Sequence, residues 1–123
     1  MRQRVLIAED EANIVVSIEF LMRKEGYDVR VTMRGDEVIP CIRDFRPHLL
    51  LLDIMLPRRN GYELCEEIRA NPEWDALKIV MLSAKGREKQ VRRGLELGAD
   101  AYVTKPFGTR ELCDQVRGLL APA

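Results

Sequence analysis

The chain has 123 residues, of which 46% are apolar and 33% charged, and its 20 acidic and 20 basic side chains cancel to a formal net charge of zero. That length and composition suit one globular domain, residues 1–123, long enough to bury a substantial shared core. Neutrality excludes a global field that would gather nucleic acid or anionic lipid, and no apolar run approaches the ~20 residues of a membrane span or forms the long apolar stretch of a signal peptide.

Five short β-like runs alternate with amphipathic helical patterns. Arg4 to Ala8 (RVLIA) predicts a buried strand. Ala12 to Glu25 predicts a helix with Ile14, Ile18, Leu21 and Met22 on one face, stopped by Gly26. Tyr27 to Thr32 predicts a second strand, and Asp36 to Phe45 a second helix through Val38, Ile42 and Phe45. Pro40 lacks an N–H and crowds the preceding turn, so it should kink that helix or shorten its first turn. His48 to Leu52 predicts a third strand, whose four consecutive leucines require burial on both faces, as in a central parallel strand. A third helix starts at Asn60, with Glu63 completing a capping box and Leu64, Cys65 and Ile68 as its apolar stripe, and ends at Asn71-Pro72. Lys78 to Leu82 predicts the fourth strand, and Arg87 to Leu97 the fourth helix, with Val91 and Leu95 inward and Gly98 as its stop. Ala101 to Thr104 predicts a fifth strand, and Thr109 to Leu120 a last helix carrying Leu112, Val116, Leu119 and Leu120 inward. Such alternation predicts an α/β fold, a parallel sheet covered on both faces and joined by right-handed crossovers. It leaves the strand order open.

The residues at the strand ends carry the chemistry. The first strand ends in Glu9 and Asp10, the third in Asp53, the fourth in Ser83, and the fifth reaches Lys105. In a parallel sheet these ends share one edge, where ligands of doubly wound folds bind. Three carboxylates there repel one another and raise their own pKa values. A hard dication relieves the repulsion, and Mg²⁺ favours a few carboxylates together with waters and phosphate oxygens. Asp53 beside such a cation is a candidate nucleophile towards a phosphoryl group, with Lys105 and Ser83 placed to stabilise the transferring charge. Taken singly, each residue has a plainer role: Asp10 as a helix cap, Ser83 as a turn residue, Lys105 as a solvated charge. Nothing about packing demands all of them at one edge.

These residues resemble the receiver domain of bacterial two-component response regulators. The resemblance rests on Glu9-Asp10, the LLLLDIMLP segment ending at Pro57, Gly61, the VMLSA segment around Ser83, and Lys105-Pro106-Phe107, and it spans essentially the whole chain. It implies a doubly wound five-stranded parallel sheet in the order 2-1-3-4-5 with five helices. It also implies that Asp53 receives a phosphoryl group from a phosphohistidine on a sensor histidine kinase or histidine phosphotransfer protein, in the cytoplasm. Asp10, Asp53 and the backbone carbonyl of Met55 would hold Mg²⁺ (or Mn²⁺), with Glu9 acting through water. Lys105 would pair with the phosphoryl group, and Ser83 and the backbone N–H of Ala84 would close onto it. Tyr102 would swing inward as Ser83 moves, reshaping the face of the fourth helix, fifth strand and fifth helix. Met55 and Lys85 would tune how readily water attacks the phosphate. Lys105-Pro106 corresponds to a bond that is cis in the family, a geometry X-Pro bonds adopt at little cost. Pro57 and Gly61 would shape the loop leaving Asp53, a task that is also ordinary turn chemistry.

A homodimer formed on phosphorylation is among the partners implied. However, the acid and arginine that some family members use for dimer salt bridges correspond here to Ala101 and Gln115. The sequence ends at Ala123, and a stand-alone receiver is expected over one excised from a longer regulator. Cys41, Cys65 and Cys113 are far apart without metal-ligand spacing, so they are expected to be small apolar thiols in a reducing compartment; His48 is expected to be structural. Arg58 and Arg59, and Arg87, Lys89, Arg92 and Arg93 on the fourth helix, are expected to be solvated; an acidic docking partner is the next reading, and no direct nucleic-acid or membrane contact is expected.

Three other functions compete. A hydrolase that turns over free phosphoesters through an aspartyl phosphate commonly needs a second acid two residues after the nucleophile, where Met55 stands. A flavin or nucleotide carrier would want a Gly/Ser/Thr-rich loop after the first strand, where Glu9-Asp10-Glu11 would repel phosphate. A receiver-like module that is never phosphorylated would have no need of the whole acid, serine and lysine set.

Overall fold

The computed structural model describes residues 2–84 and 88–121, with the backbone alone at Glu88. Strands β1 (Arg4–Ala8), β2 (Asp28–Thr32), β3 (Leu49–Asp53), β4 (Lys78–Ala84) and β5 (Ala101–Lys105) form one parallel sheet in the order 2-1-3-4-5. Helices α1 (Ala12–Lys24), α2 (Val38–Phe45), α3 (Gly61–Ala70), α4 (Glu88–Glu96) and α5 (Thr109–Leu120) connect and cover it.

The leucine run of β3 explains how the sheet divides the interior. Leu50 and Leu52 point into a core shared with Val38 and Ile42 of α2 and Leu64 and Ile68 of α3. Leu49 and Leu51 point the other way, onto Ile18 and Met22 of α1 and Leu112 and Val116 of α5. Period-two alternation thus feeds two cores from one strand, and all four leucines are fully buried.

Helix boundaries follow local chemistry. Asn60 caps α3, its side-chain oxygen accepting from the Glu63 N–H at 3.0 Å. Glu63 completes the motif differently from a standard capping box, because its carboxylate accepts from the Asn60 side-chain amide at 2.9 Å. A 3-10 turn, Gly35–Glu37, precedes α2, which puts Pro40 in the first helical turn, where N–H groups lack intrahelical partners.

The fourth helix corrects an expectation. Leu95, predicted to point inward, is 41% exposed. Gly94 faces the sheet instead, and a Cβ there would stand 3.2 Å from Cγ of Met81. The helix thus packs on β4 through Gly94, where an added Cβ would make Met81 shift by a few tenths of an ångström, and Leu95, one residue on, lies off that inner face. Arg87, the predicted start of that helix, lies outside the described residues.

Two cross-element anchors position the sheet ends. His48 has a structural role, but with a partner: its Nδ1 accepts the Arg4 backbone N–H at 2.9 Å, and its own N–H donates to the Arg4 carbonyl at 2.8 Å. Arg69 of α3 donates to the carbonyls of Gly98, Leu77 and Trp74 and to the Asp100 carboxylate. That carboxylate also accepts the Ile79 N–H at 2.8 Å, which fixes the approach to β5 against β4. Cys41 is half-buried, Cys65 and Cys113 are buried, and all three are free thiols.

Candidate functional site

The strands extend further than their apolar runs suggest. Asp53 is the last residue of β3, Ser83 and Ala84 the last two of β4, and Lys105 the last of β5. The register sets Asp53 opposite Leu82, Ser83 opposite Thr104 and Ala84 opposite Lys105, so the chemistry-bearing residues share one edge.

Glu9 follows β1 and is completely buried. One of its carboxylate oxygens, Oε2, accepts the backbone N–H groups of Asp10 at 2.9 Å and Glu11 at 3.0 Å. The other, Oε1, makes no well-angled hydrogen bond among the described residues and is met by the Lys105 ammonium at 2.6 Å, an ion pair whose acid is buried and whose lysine borders the cleft. Lys105 Nζ also lies 3.5 Å from Asp53 Oδ2 and 3.9 Å from Glu11 Oε1. Burial works against the lysine charge, but the surrounding carboxylates outweigh it and raise its pKa.

Asp53 is buried, and its Oδ1 accepts the Met55 N–H at 3.1 Å. Its carboxyl pKa is raised from 3.8 to about 6, first by burial; the Met55 hydrogen bond opposes the rise, the Glu9 charge adds to it, and Lys105 opposes it. Glu9, Asp10 and Asp53 each offer an oxygen, and these oxygens lie within 4.8 Å of one another. Three hard donors, with Lys105 the one lysine beside them among the described residues, fit a small dication by charge and donor type.

A cleft of about 270 Å³ opens above Asp53, walled by Asp10, Glu11, Met55, Ala84, Gln90 and Lys105. A larger concavity of about 590 Å³ lies among Arg43, His48 and Trp74, away from these residues, so size does not locate the chemistry. Gly61 packs directly on the backbone at the end of β3: a Cβ there would meet the Asp53 carbonyl oxygen and the Ile54 Cα, each at 2.9 Å. Its N–H donates to the Ile54 carbonyl at 2.9 Å, which anchors the loop that leaves Asp53. Further along the same loop, the Gly35 N–H donates to the Pro57 carbonyl, and a Cβ on Gly35 would fall 2.0 Å from the Arg59 carbonyl oxygen.

Ser83 is buried, and its Oγ makes one long contact, 3.3 Å, to the Ala84 carbonyl. Tyr102 is 42% exposed, opposite Met81 in the sheet, and its carbonyl accepts from the Gln115 amide at 3.4 Å. The Lys105–Pro106 peptide is cis. Lys85 lies outside the described residues. Glu9, Asp10, Asp53, Met55, Ala84 and Lys105 therefore meet around one cleft or at its floor, with Ser83 in the adjoining strand end, while Tyr102 sits outside on the neighbouring strand. Glu11 and Gln90 also border the cleft. The sequence named Glu11 only within the acidic run Glu9-Asp10-Glu11 that would repel phosphate, and gave no sign of Gln90.

A doubly wound sheet in the order 2-1-3-4-5, with acids and a lysine converging at its carboxyl edge, defines the flavodoxin-like receiver class of fold. The family model for the response regulator receiver domain matches residues 5–117, and the chain belongs to that family, the receiver domains of two-component signal transduction. The chain is similar to a response regulator from Chloroflexus aurantiacus, with 34% identity and a TM-score of 0.95 over 99% of this chain and 100% of that one. It is also similar to the BeF3-activated N-terminal receiver domain of RstA from Klebsiella pneumoniae, at 30% identity and a TM-score of 0.88 over 97% and 100% of the two chains. A third similar structure is the receiver domain of a signal transduction histidine kinase from Syntrophus aciditrophicus, at 28% identity and a TM-score of 0.88 over 96% and 89%. Among the described residues no helix is long and apolar enough to cross a membrane.

Proposed function

We propose that Asp53 is the phosphoryl acceptor of this receiver domain, loaded from a phosphohistidine on a sensor kinase or phosphotransfer protein in the cytoplasm. The observation that carries this reading is the Lys105 ammonium lying between the buried Glu9 and Asp53 carboxylates, at 2.6 and 3.5 Å, on the floor of an open cleft. A carboxylate oxygen of Asp53 attacks phosphorus, the P–N bond breaks, and its electron pair leaves on the donor imidazole, which takes up a proton. Asp53 must be ionised to attack, and a pKa of about 6 leaves it so at neutral pH. Lys105, already fixed by Glu9, pairs with the phosphoryl oxygens as they gain charge.

Asp10, Asp53 and the Met55 carbonyl would hold Mg²⁺, with Glu9 reaching it through water; the ion would supply positive charge to the transferring phosphoryl oxygens. Among the described residues Ser83 Oγ has only its long Ala84 contact to give up before it turns to the phosphate together with the Ala84 N–H. Tyr102 then moves inward from its exposed position and changes the face made by α4, β5 and α5. The acyl phosphate is later hydrolysed slowly, which resets the switch without making the domain a conventional enzyme.

Incubation with phosphoramidate tests this reading. Intact-mass measurement should show an adduct of ~80 Da, the mass of an added phosphoryl group, only when Mg²⁺ is present and not in Asp53→Asn. Metal-independent labelling, or labelling that survives the substitution, overturns it.

A further inference from the structure

Met55 is 68% exposed, borders the Asp53 cleft, and donates its backbone N–H to Asp53 Oδ1. Two other methionines, Met22 and Met81, are fully or almost fully buried, and Met33 is exposed but does not line the cleft. An exposed thioether is open to oxidants that buried ones escape, and oxidation turns a flexible apolar group into a polar, chiral one. At this position the change falls beside the acyl carbon and phosphorus that water must reach.

We propose that Met55 is an oxidative modification site through which a hydroperoxide sets the lifetime of the phosphorylated state. The inference rests on Asp53 being the phosphoryl acceptor. A sulfur lone pair attacks the terminal peroxide oxygen and the O–O bond breaks; the sulfur becomes a sulfoxide and hydrogen peroxide is reduced to water. Unoxidised, the thioether presents apolar surface at the cleft and offers water little to bind. The sulfoxide oxygen is a strong hydrogen-bond acceptor that holds and orients water there, so hydrolysis of the acyl phosphate accelerates. The backbone groups of Met55 are untouched, and the carboxylates keep their positions. Because a sulfoxide reductase restores the thioether, the effect is reversible.

The test treats the protein with hydrogen peroxide, then with dithiothreitol to return reversibly oxidised thiols, and locates sulfoxide by peptide mass spectrometry. Phosphoramidate-labelled protein is then followed by intact mass as the adduct decays. Sulfoxide should accumulate at Met55 well before Met22 and Met81, and the adduct should decay several-fold faster than in untreated protein. Peroxide should leave the decay of Met55→Leu unchanged relative to its own untreated sample, whereas Met33→Leu should keep the acceleration. Methionine sulfoxide reductase should restore the slow decay. An unchanged decay in protein whose Met55 is largely oxidised overturns the inference, as does an acceleration that persists in Met55→Leu. Failure of untreated protein to label at Asp53 would instead overturn the phosphoacceptor reading beneath it.

Discussion

The Lys105 ammonium lies nearer Glu9, at 2.6 Å, than Asp53, at 3.5 Å. Glu9 is the more deeply buried of the two acids and is pinned by two backbone N–H groups, so it acts as a fixed anchor for the lysine. Replacing Lys105 with Met leaves the Glu9 carboxylate buried without its counter-charge. Stability at pH 7 without added metal should fall by about 3 kcal/mol, the lower range for removing one member of a buried pair. Urea unfolding measures this. An unchanged midpoint would show that Glu9 does not depend on the lysine.

Asp53 makes the opposite prediction. Its folded-state pKa is raised to about 6 from 3.8, so the folded chain binds this proton more tightly than the unfolded chain does. Below about pH 4 both states are largely protonated and the group costs little; between there and about pH 6 the unfolded chain ionises while the folded carboxyl keeps its proton, so stability falls, and above about pH 6 the full cost remains. Asp53→Asn should therefore be more stable than wild type at pH 7.5 without metal, by about 2 kcal/mol once the solvent reaching the cleft is allowed for. The advantage should vanish near pH 4. An advantage that does not change with pH would assign it to something other than this carboxyl.

Mg²⁺ should reverse that ranking. Binding to the folded state alone stabilises by RT ln(1 + [L]/Kd), about 2.7 kcal/mol at a hundred times Kd, which exceeds the advantage of Asp53→Asn. Thermal unfolding of wild type should shift upward with Mg²⁺ and return with EDTA, while Asp10→Asn and Asp53→Asn respond weakly. Equal shifts in all three proteins would remove the acid cluster from metal binding.

Gly61→Ala should cost about 2 kcal/mol by overpacking, because both obstructing atoms belong to the backbone of Asp53 and Ile54 and cannot step aside as a side chain could. Phosphoramidate labelling should fall as well, since the carbonyl being pushed is that of Asp53. Loss of stability with full labelling would confine the effect to packing.

How much of the molecule was legible in the sequence depends on what each feature requires. Asp53 and Lys105 could be read because an apolar strand that ends in a charged residue puts that charge at the sheet edge whatever the side-chain packing. The leucines of β3 announced a central strand for the same reason, and the motif resemblance supplied the strand order. Arg69 could not be read: its acceptors sit on two separate connections, before β4 and before β5, and its value lies in a side chain reaching across them. The Arg4 N–H received by His48 depends in the same way on a register visible only in the folded sheet. Leu95 was misplaced because helical periodicity treats Gly94 as empty, whereas close packing makes the missing side chain the point of contact.

Locating the phosphoryl bond itself decides whether Asp53 is the acceptor. Borohydride reduction cleaves an aspartyl phosphate to homoserine, and peptide sequencing by mass spectrometry then reads the position. After loading with phosphoramidate and Mg²⁺, homoserine should appear at position 53 and nowhere else. Homoserine at position 10, or a labelled protein that yields none, would contradict the assignment.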